Sequence, residues 1–397
     1  MKFVLAPDSF KESMTAAEVC QAMEKGIRKA IPEAEIISVP MADGGEGTTD
    51  SLIDATNGQK HFLTVTDPLG KKVNAYYGIL GDQKTAIIEM AQASGLTYVA
   101  KNNRTPETIM RTTTYGTGEL INDALKHNVN KIIIGLGGSS TNDGGAGMAQ
   151  AIGVKFFDQA NHEITTKLGG GDLNKIAKID LSAINPQLKD VQILIASDVT
   201  NPLTGQNGAS AVFGPQKGAD AQTVEKLDQN LSHYATLIQQ TIKKDVATIP
   251  GSGAAGGLGA GLLAFTNATI HHGVELIAHE THLADKIKGA DFVFTGEGGT
   301  DFQTKFGKTP YGVAQIAKKE NIPVISLAGY LGEGIEQLYD EGFTAIFGIL
   351  DKAEDIHQAL KDGPKNIERT TENIVRLIIS TKKDELLLIL FLYQFFN

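Results

Sequence analysis

With 397 residues, the chain is long enough for two domains with substantial cores. Its net charge of −10 excludes a large nucleic-acid footprint, and 41% hydrophobic with 21% charged residues is ordinary for a soluble globular protein. Cys20 is the only cysteine, which excludes an intrachain disulfide or a cysteine metal cluster, and MKFVLAPDSF lacks a signal-peptide core, so a cytoplasmic location is expected.

Residues 3–6 read as a strand, with Asp8, Ser9 and Lys11 in its exit loop. Thr15 and Glu18 have capping-box spacing, and Val19, Met23 and Ile27 then share one helical face, which also carries Cys20 as a buried thiol. A second strand at 36–39 leaves into 41–47, which holds Asp43 and Glu46, and a helix then ends near Asn57-Gly58. This β-α-β-α opening predicts a parallel sheet. After residue 60 the pattern changes. Strands at 62–66, 73–80 and 85–90 are joined by turns so short that they must pair antiparallel.

The most conspicuous stretch is IIIGLGGSSTNDGGAG at 132–147. A short buried strand runs into a loop almost free of bulky side chains: Gly137, Gly138, Ser139, Ser140, Thr141, Asn142, Asp143 and three further glycines. Such a loop lets a ligand approach the backbone, and its N–H groups can face an anion, helped by a helix opening at Met148. Another strand, 191–196, leaves into Ser197, Asp198, Val199, Thr200, Asn201 and Pro202. Lys217 lies in a turn at 213–218, and 224–242 is a long amphipathic helix.

The opening pattern returns at Asp291, with a strand at 292–294 and an exit loop at 295–301 that holds Glu297 and Asp301. Helices near 310–319 and 333–341 alternate with strands at 323–327 and 345–350. The expected fold is therefore α/β. Residues 1–62 and 286–380 form a doubly wound, mostly parallel, Rossmann-like domain, and 63–285 form a second, inserted mixed α/β domain. Ligands of open α/β sheets bind at the carboxyl ends of strands, so the loops at Asp8, Asp43 and Glu297 should meet, with the site in the cleft between domains. Residues 381–397 are an atypical apolar tail, too short to span a bilayer and expected to be a terminal strand or a packed helix.

Several signatures nearly form. Gly307-Lys308-Thr309 ends like a phosphate-binding P-loop, but the required first glycine falls on Phe302. His279-Glu280-Thr281-His282 is one residue short of a zinc motif. Residues 251–256 fit GxGxxG but lack a clear preceding βαβ unit. What survives is a set of carboxylates, amides, hydroxyls and lysines at strand exits: Asp8, Ser9, Lys11, Asp43, Glu46, Asn142, Asp143, Asp198, Asn201, Lys217, Glu297, Asp301 and Lys308. Hard oxygen ligands suit Mg²⁺, and glycine loops with lysines suit phosphates. Together they are the parts of a phosphoryl-transfer site.

The motifs DSFKES at 8–13, PMADGGEGT at 40–48, YGTGELI at 115–121, GGSSTNDGGAGMA at 137–149, SDVTNPLTG at 197–205, FGPQKGA at 213–219, GAAGGLGAGLLAF at 253–265 and TGEG at 295–298 resemble, in order, those of the bacterial glycerate kinase family. The resemblance covers about residues 1–380 and implies ATP-dependent phosphorylation of D-glycerate, usually to 2-phosphoglycerate, by a two-domain α/β protein. The family usually follows TGEG with arginine, an apolar residue and aspartate. Gly299 and Thr300 fill the first two places here and Asp301 keeps the third, so a cation beside an anionic site is lost.

On this reading Asp198 is the base that takes the acceptor proton, with Asp143 its rival, and Lys11 serves the phosphates. Asp8, Ser9, Gly137, Gly138, Ser139, Ser140, Asn142, Asn201, Lys217 and Lys308 bind substrate or phosphate. Asp43, Glu46, Glu297 and Asp301 are the candidate Mg²⁺ ligands. The expected partners are ATP and D-glycerate, with no nucleic acid and no membrane, acting as a monomer or homodimer. Two competing readings are an NAD-dependent oxidoreductase on a small hydroxy acid, using 251–256, and a catalytically weak sugar-acid binding protein. Against the oxidoreductase, no histidine stands in the conspicuous strand-exit loops.

Overall fold

Thirteen strands and the helices between them were located in a computed structural model, which describes the backbone of residues 1–396 and the side chains of residues 1–381. In chain order the first six strands are β1 (Lys2–Leu5), β2 (Glu35–Ser38), β3 (Gln59–Thr66), β4 (Lys72–Ile79), β5 (Thr85–Glu89) and β6 (Lys131–Gly135). They are followed by β7 (Lys155–Phe157), β8 (Lys178–Asp180), β9 (Gln192–Ala196), β10 (Thr269–His271), β11 (Phe292–Thr300), β12 (Val324–Leu331) and β13 (Ala345–Gly348).

The chain divides into two compact units, Met1–Ala42 with Ile277–Asn397, and Asp43–Leu276. The sequence placed these boundaries at 62/63 and 285/286. The difference at the first boundary has a local cause. The helix Thr48–Thr56 packs on β4 and β5 of the second unit, where the Ile53 side chain closes over Gly78.

The first unit carries a five-stranded sheet in the order β13-β12-β11-β1-β2, parallel throughout. The helix Ala16–Ala30 begins at the expected capping box: Glu18 N–H donates to Thr15 Oγ1 at 3.2 Å, and Thr15 N–H donates to Glu18 at 2.8 Å. Its apolar face, Val19, Met23 and Ile27, buries against Phe3, Leu5 and Phe294 of the sheet and Ile367 and Val375 of the C-terminal helix Ile356–Phe396. Cys20 is buried in that core, as an inert thiol should be. The apolar tail continues the C-terminal helix, and the side chains of 382–396 and residue 397 lie outside the described residues.

One strand runs further than its sequence suggests. β11 extends through Gly296, Glu297 and Gly299 to Thr300, because β12 also runs on and pairs with it as far as Thr300↔Leu331. The stretch 295–300, expected as an exit loop, is thus largely strand, and the segment expected as a helix near 333–341 is a 3₁₀ turn, Ile335–Glu341.

The second unit carries a six-stranded sheet in the order β10-β9-β6-β5-β4-β3. The first four strands are parallel, and β5-β4 and β4-β3 are antiparallel, as the short turns required. The Ile-rich strands β5, β6 and β9 are buried, with Ile88, Ile132, Ile134, Ile193 and Ile195 packed in one core with Leu120, Met148, Leu231 and Tyr234. The short pair β7-β8 and the edge strand β10 carry too weak a local pattern to be read from the sequence.

Candidate active site

In the second unit, register aligns the carboxyl ends of four parallel strands in one row: Glu89, Gly135, Ala196 and His271. The first residues beyond that row are the candidate site. The loop 43–47 lies across it. A Cβ on Gly135 would fall 2.5 Å from Gly44 O, and one on Gly137 would fall 2.9 Å from Gly45 Cα, so only glycine permits that approach. Asp43 Oδ1 accepts from Gly45 N–H at 2.9 Å, and Glu46 is exposed.

Asp198 leaves the end of β9 and is half-buried. Its Oδ1 accepts from His272 Nδ1 at 2.9 Å and from Gly273 N–H at 3.3 Å. When Asp198 is ionised its carboxylate only accepts, and His272 then donates from Nδ1. Burial pushes the Asp198 carboxyl up; His272 and Gly273 oppose the shift, and the negative charge of Asp43 adds to it. The conspicuous strand-exit loops of the sequence hold no histidine. His272 stands at the end of β10, a strand not predicted from the sequence.

Most of the glycine loop faces inward. Residues 140–149 are buried, leaving Gly137, Gly138 and Ser139 at the surface. Several of its N–H groups are used within the protein. Ser140 donates to Ser94 O, Gly144 to Gly256 O, and Gly145 and Gly147 to Asp143. Asp143 is fully buried and also accepts from Thr114 N–H and Oγ1, both at 2.8 Å. Burial raises its carboxyl and these donors hold it back. The helix expected at Met148 is Ala146–Ala151, less than two turns.

Lys217 is 3% exposed, and its ammonium donates to Ser139 Oγ at 2.8 Å and Thr141 O at 2.7 Å. Burial pulls its pKa down to about 7, against the pull of Asp143. It therefore braces the loop from beneath. Asn142 is buried and donates to Ser210 Oγ at 2.9 Å, and Asn201 donates to Asn207 O at 2.8 Å, holding the turn after Asp198. The GxGxxG run is packing. Residues 255–257 turn left-handed, and a Cβ on Gly256 would meet Thr141 O at 1.9 Å, so the run seats the glycine loop.

In the first unit, the loop after β1 runs alongside β11. Asp8 N–H donates to Gly296 O at 2.9 Å. Asp8 Oδ1 accepts from Ser9 N–H at 2.6 Å, and Oδ2 from Thr309 Oγ1 at 2.5 Å. Lys11, from the same loop, is exposed. Glu297 is buried. Its Oε1 accepts from Thr304 at 2.6 Å and Thr300 at 3.2 Å, and Lys308 stands 3.0 Å from Oε2. Burial raises the Glu297 carboxyl, against Thr304 and Lys308. Lys308 also donates to Gly299 O at 3.1 Å, and Asp301 caps the 3₁₀ turn Phe302–Lys305 through Gln303 N–H at 2.8 Å.

Mg²⁺ bound with substrate phosphates takes one or two carboxylates and keeps several waters. Asp43, with Oδ1 on Gly45, and exposed Glu46 fit that demand. Glu297, with hydroxyls on one oxygen and an ammonium on the other, does not, and Asp301 is occupied as a cap.

The mostly parallel α/β sheets, the braced glycine loop and the carboxylate at a strand end suit a site for small anionic ligands. Comparison with known proteins narrows the class. The family model described as "Glycerate kinase family" matches residues 3–379. A glycerate kinase of Halalkalibacterium halodurans is 50% identical over 371 residues, 94% of this chain and 96% of that protein. The glycerate 2-kinase of Escherichia coli K12 is 50% identical over 374 residues, covering 94% and 97%. A solved structure from Salmonella typhimurium LT2, named for glycerate kinase 2, superposes with a TM-score of 0.87 at 46% identity, covering 96% of this chain and 99% of that one. The chain belongs to the glycerate kinase family and is a kinase. No helix among the described residues is long and apolar enough to cross a membrane.

Proposed function

We propose that this kinase transfers the γ-phosphoryl group of ATP to the 2-hydroxyl of D-glycerate, giving 2-phosphoglycerate. The observation that carries the substrate and the position is the 50% identity, over 374 residues, to the Escherichia coli protein named glycerate 2-kinase.

In phosphoryl transfer the protein supplies mainly positioning and charge. Asp198 is the base. Its Oδ1 is held by two donors, and Oδ2 is left to take the proton of the acceptor hydroxyl. The partly exposed rim Gly137, Gly138 and Ser139 meets an anionic group of the ligand, on a loop held by Asp143 and Lys217 from within. Lys11 supplies an exposed cation to the phosphates, and Lys308, paired with Glu297, a second one. Asp8 and Ser9 shape the loop that carries Lys11. Mg²⁺, when bound through Asp43 and Glu46, neutralises phosphate charge.

The test is ADP release by the purified protein, dependent on glycerate and on Mg²⁺, with each glycerate enantiomer supplied in turn. Passing the product to enolase, which dehydrates 2-phosphoglycerate directly, reads the position. Nicotinamide reduction by glycerate, or binding without turnover, would overturn the proposal; a product that enolase leaves untouched would move the phosphate to the 3-position.

A further inference from the structure

β9 and β10 lie side by side in parallel with Ala196 opposite His271, and Ser197 N–H donates to His271 O at 3.0 Å. The two strands therefore release their chains at the same level, and Asp198 and His272 face each other one step further out. Their contact is 2.9 Å and joins residues 74 positions apart. Both line a cavity of about 650 Å³, together with Ser197, Lys244, Glu275, Ile249 and Ile270.

Both donors to Asp198, His272 Nδ1–H and Gly273 N–H, bind the same oxygen, Oδ1. The rotation of an aspartate about its last side-chain bond is broad and nearly two-fold, so an unanchored carboxylate presents either oxygen in many directions. Two donors on Oδ1 fix the plane and aim Oδ2. The Gly273 bond, at 3.3 Å, is long for N–H···O and cannot hold the carboxylate alone. The ring of His272 is the stronger restraint.

Resting on the reading of Asp198 as the base, we infer that His272 is a positioning residue for the phosphoryl transfer, fixing Asp198 Oδ1 so that Oδ2 meets the acceptor hydroxyl. The competing explanation is that the pair only holds the start of the helix Gly273–Glu280, whose first N–H already points at Asp198. That role would change stability and leave turnover alone.

Three variants separate these explanations: His272→Ala, His272→Asn, whose amide can donate from near the Nδ1 position, and Asp198→Asn. For each, kcat, the KM values for glycerate and nucleotide, and the melting temperature are measured. His272→Ala is expected to lower kcat by up to about 100-fold, the scale of a misplaced catalytic group, with the nucleotide KM within twofold. His272→Asn should recover most of that loss. Adding His272→Ala to Asp198→Asn should cost little more, since His272 acts only through Asp198.

If His272→Ala keeps kcat within twofold while Asp198→Asn is slow, the positioning role is wrong and the base stands. A loss that only tracks a lowered melting temperature, or one that His272→Asn fails to restore, also overturns it. Full turnover by Asp198→Asn would overturn the base itself and the inference with it.

Discussion

Tyr330 occupies the space that a side chain at Gly299 would need. The two residues are register partners on β11 and β12, and a Cβ built on Gly299 would lie 2.2 Å from Tyr330 Cε1. The resemblance to glycerate kinases puts an arginine at this position. Tyr330 is 58% exposed, so its ring can be moved, but at the cost of its packing over the glycine. Gly299→Arg alone should therefore gain little in kcat/KM, because the guanidinium must first displace the ring. Gly299→Arg with Tyr330→Ser should exceed it, since a second, forked donor then reaches phosphate unopposed. Equal values for the single and double variants would show that Tyr330 does not govern the position.

Lys11 is expected to act on phosphate without holding the fold. Its side chain is exposed, in contrast to Lys308, which is tied to Glu297 and Gly299 O. Lys11→Met should lower kcat/KM at least tenfold, about the effect of 1.4 kcal/mol in the transition state, with an unchanged melting temperature. Activity within twofold of wild type would remove Lys11 from the site.

The contrast between those two lysines marks what a sequence can reveal. Local chemistry was legible. The capping box at Thr15 and Glu18, the antiparallel turns after residue 60 and the strand that feeds the glycine loop all follow from neighbours in the chain. Burial of polar groups was not. Asp143 read as a rival base and Lys217 as a phosphate ligand because charged side chains are mostly exposed, and here both are enclosed by residues far away in sequence. Glu297 was read in a loop because TGEGGT has no strand-like alternation, yet β12 supplies the pairing that makes it a strand. His272 needed β10, a three-residue edge strand with no distinctive pattern of its own.

Asp198→Asn keeps the shape of the carboxylate and removes the base. A general base contributes about 10²–10⁴-fold, and kcat should fall by that factor while nucleotide affinity and cooperative melting persist. The pH profile of the wild type carries the same information. Burial raises the Asp198 carboxyl above the usual range, so its protonated, inactive form persists to higher pH than for an exposed aspartate. The acid limb of kcat/KM should accordingly lie above the ordinary carboxylate range. A limb at the ordinary value, or loss of nucleotide binding in Asp198→Asn, would assign Asp198 to a different task.

Lys217 gives a prediction about stability. Burial pulls its pKa to about 7, and an ordinary lysine titrates near about 10.4. Between those values the unfolded chain binds a proton that the folded chain has released, so stability rises with pH through this window, by at most about 1.4 kcal/mol per unit. Below the folded value both states hold the proton, and Lys217 adds no pH dependence. Lys217→Met should be less stable, since Ser139 Oγ and Thr141 O lose their donor, and it should lack this particular slope. Urea melts of both proteins from about pH 6 to about pH 9 isolate the term, because titrating groups that are not coupled to Lys217 cancel in the difference. The wild-type advantage should be flat at the acid end and widen above neutrality. A difference that stays constant would mean that Lys217 remains fully charged in the folded protein, with Asp143 supplying enough counter-charge to outweigh its burial.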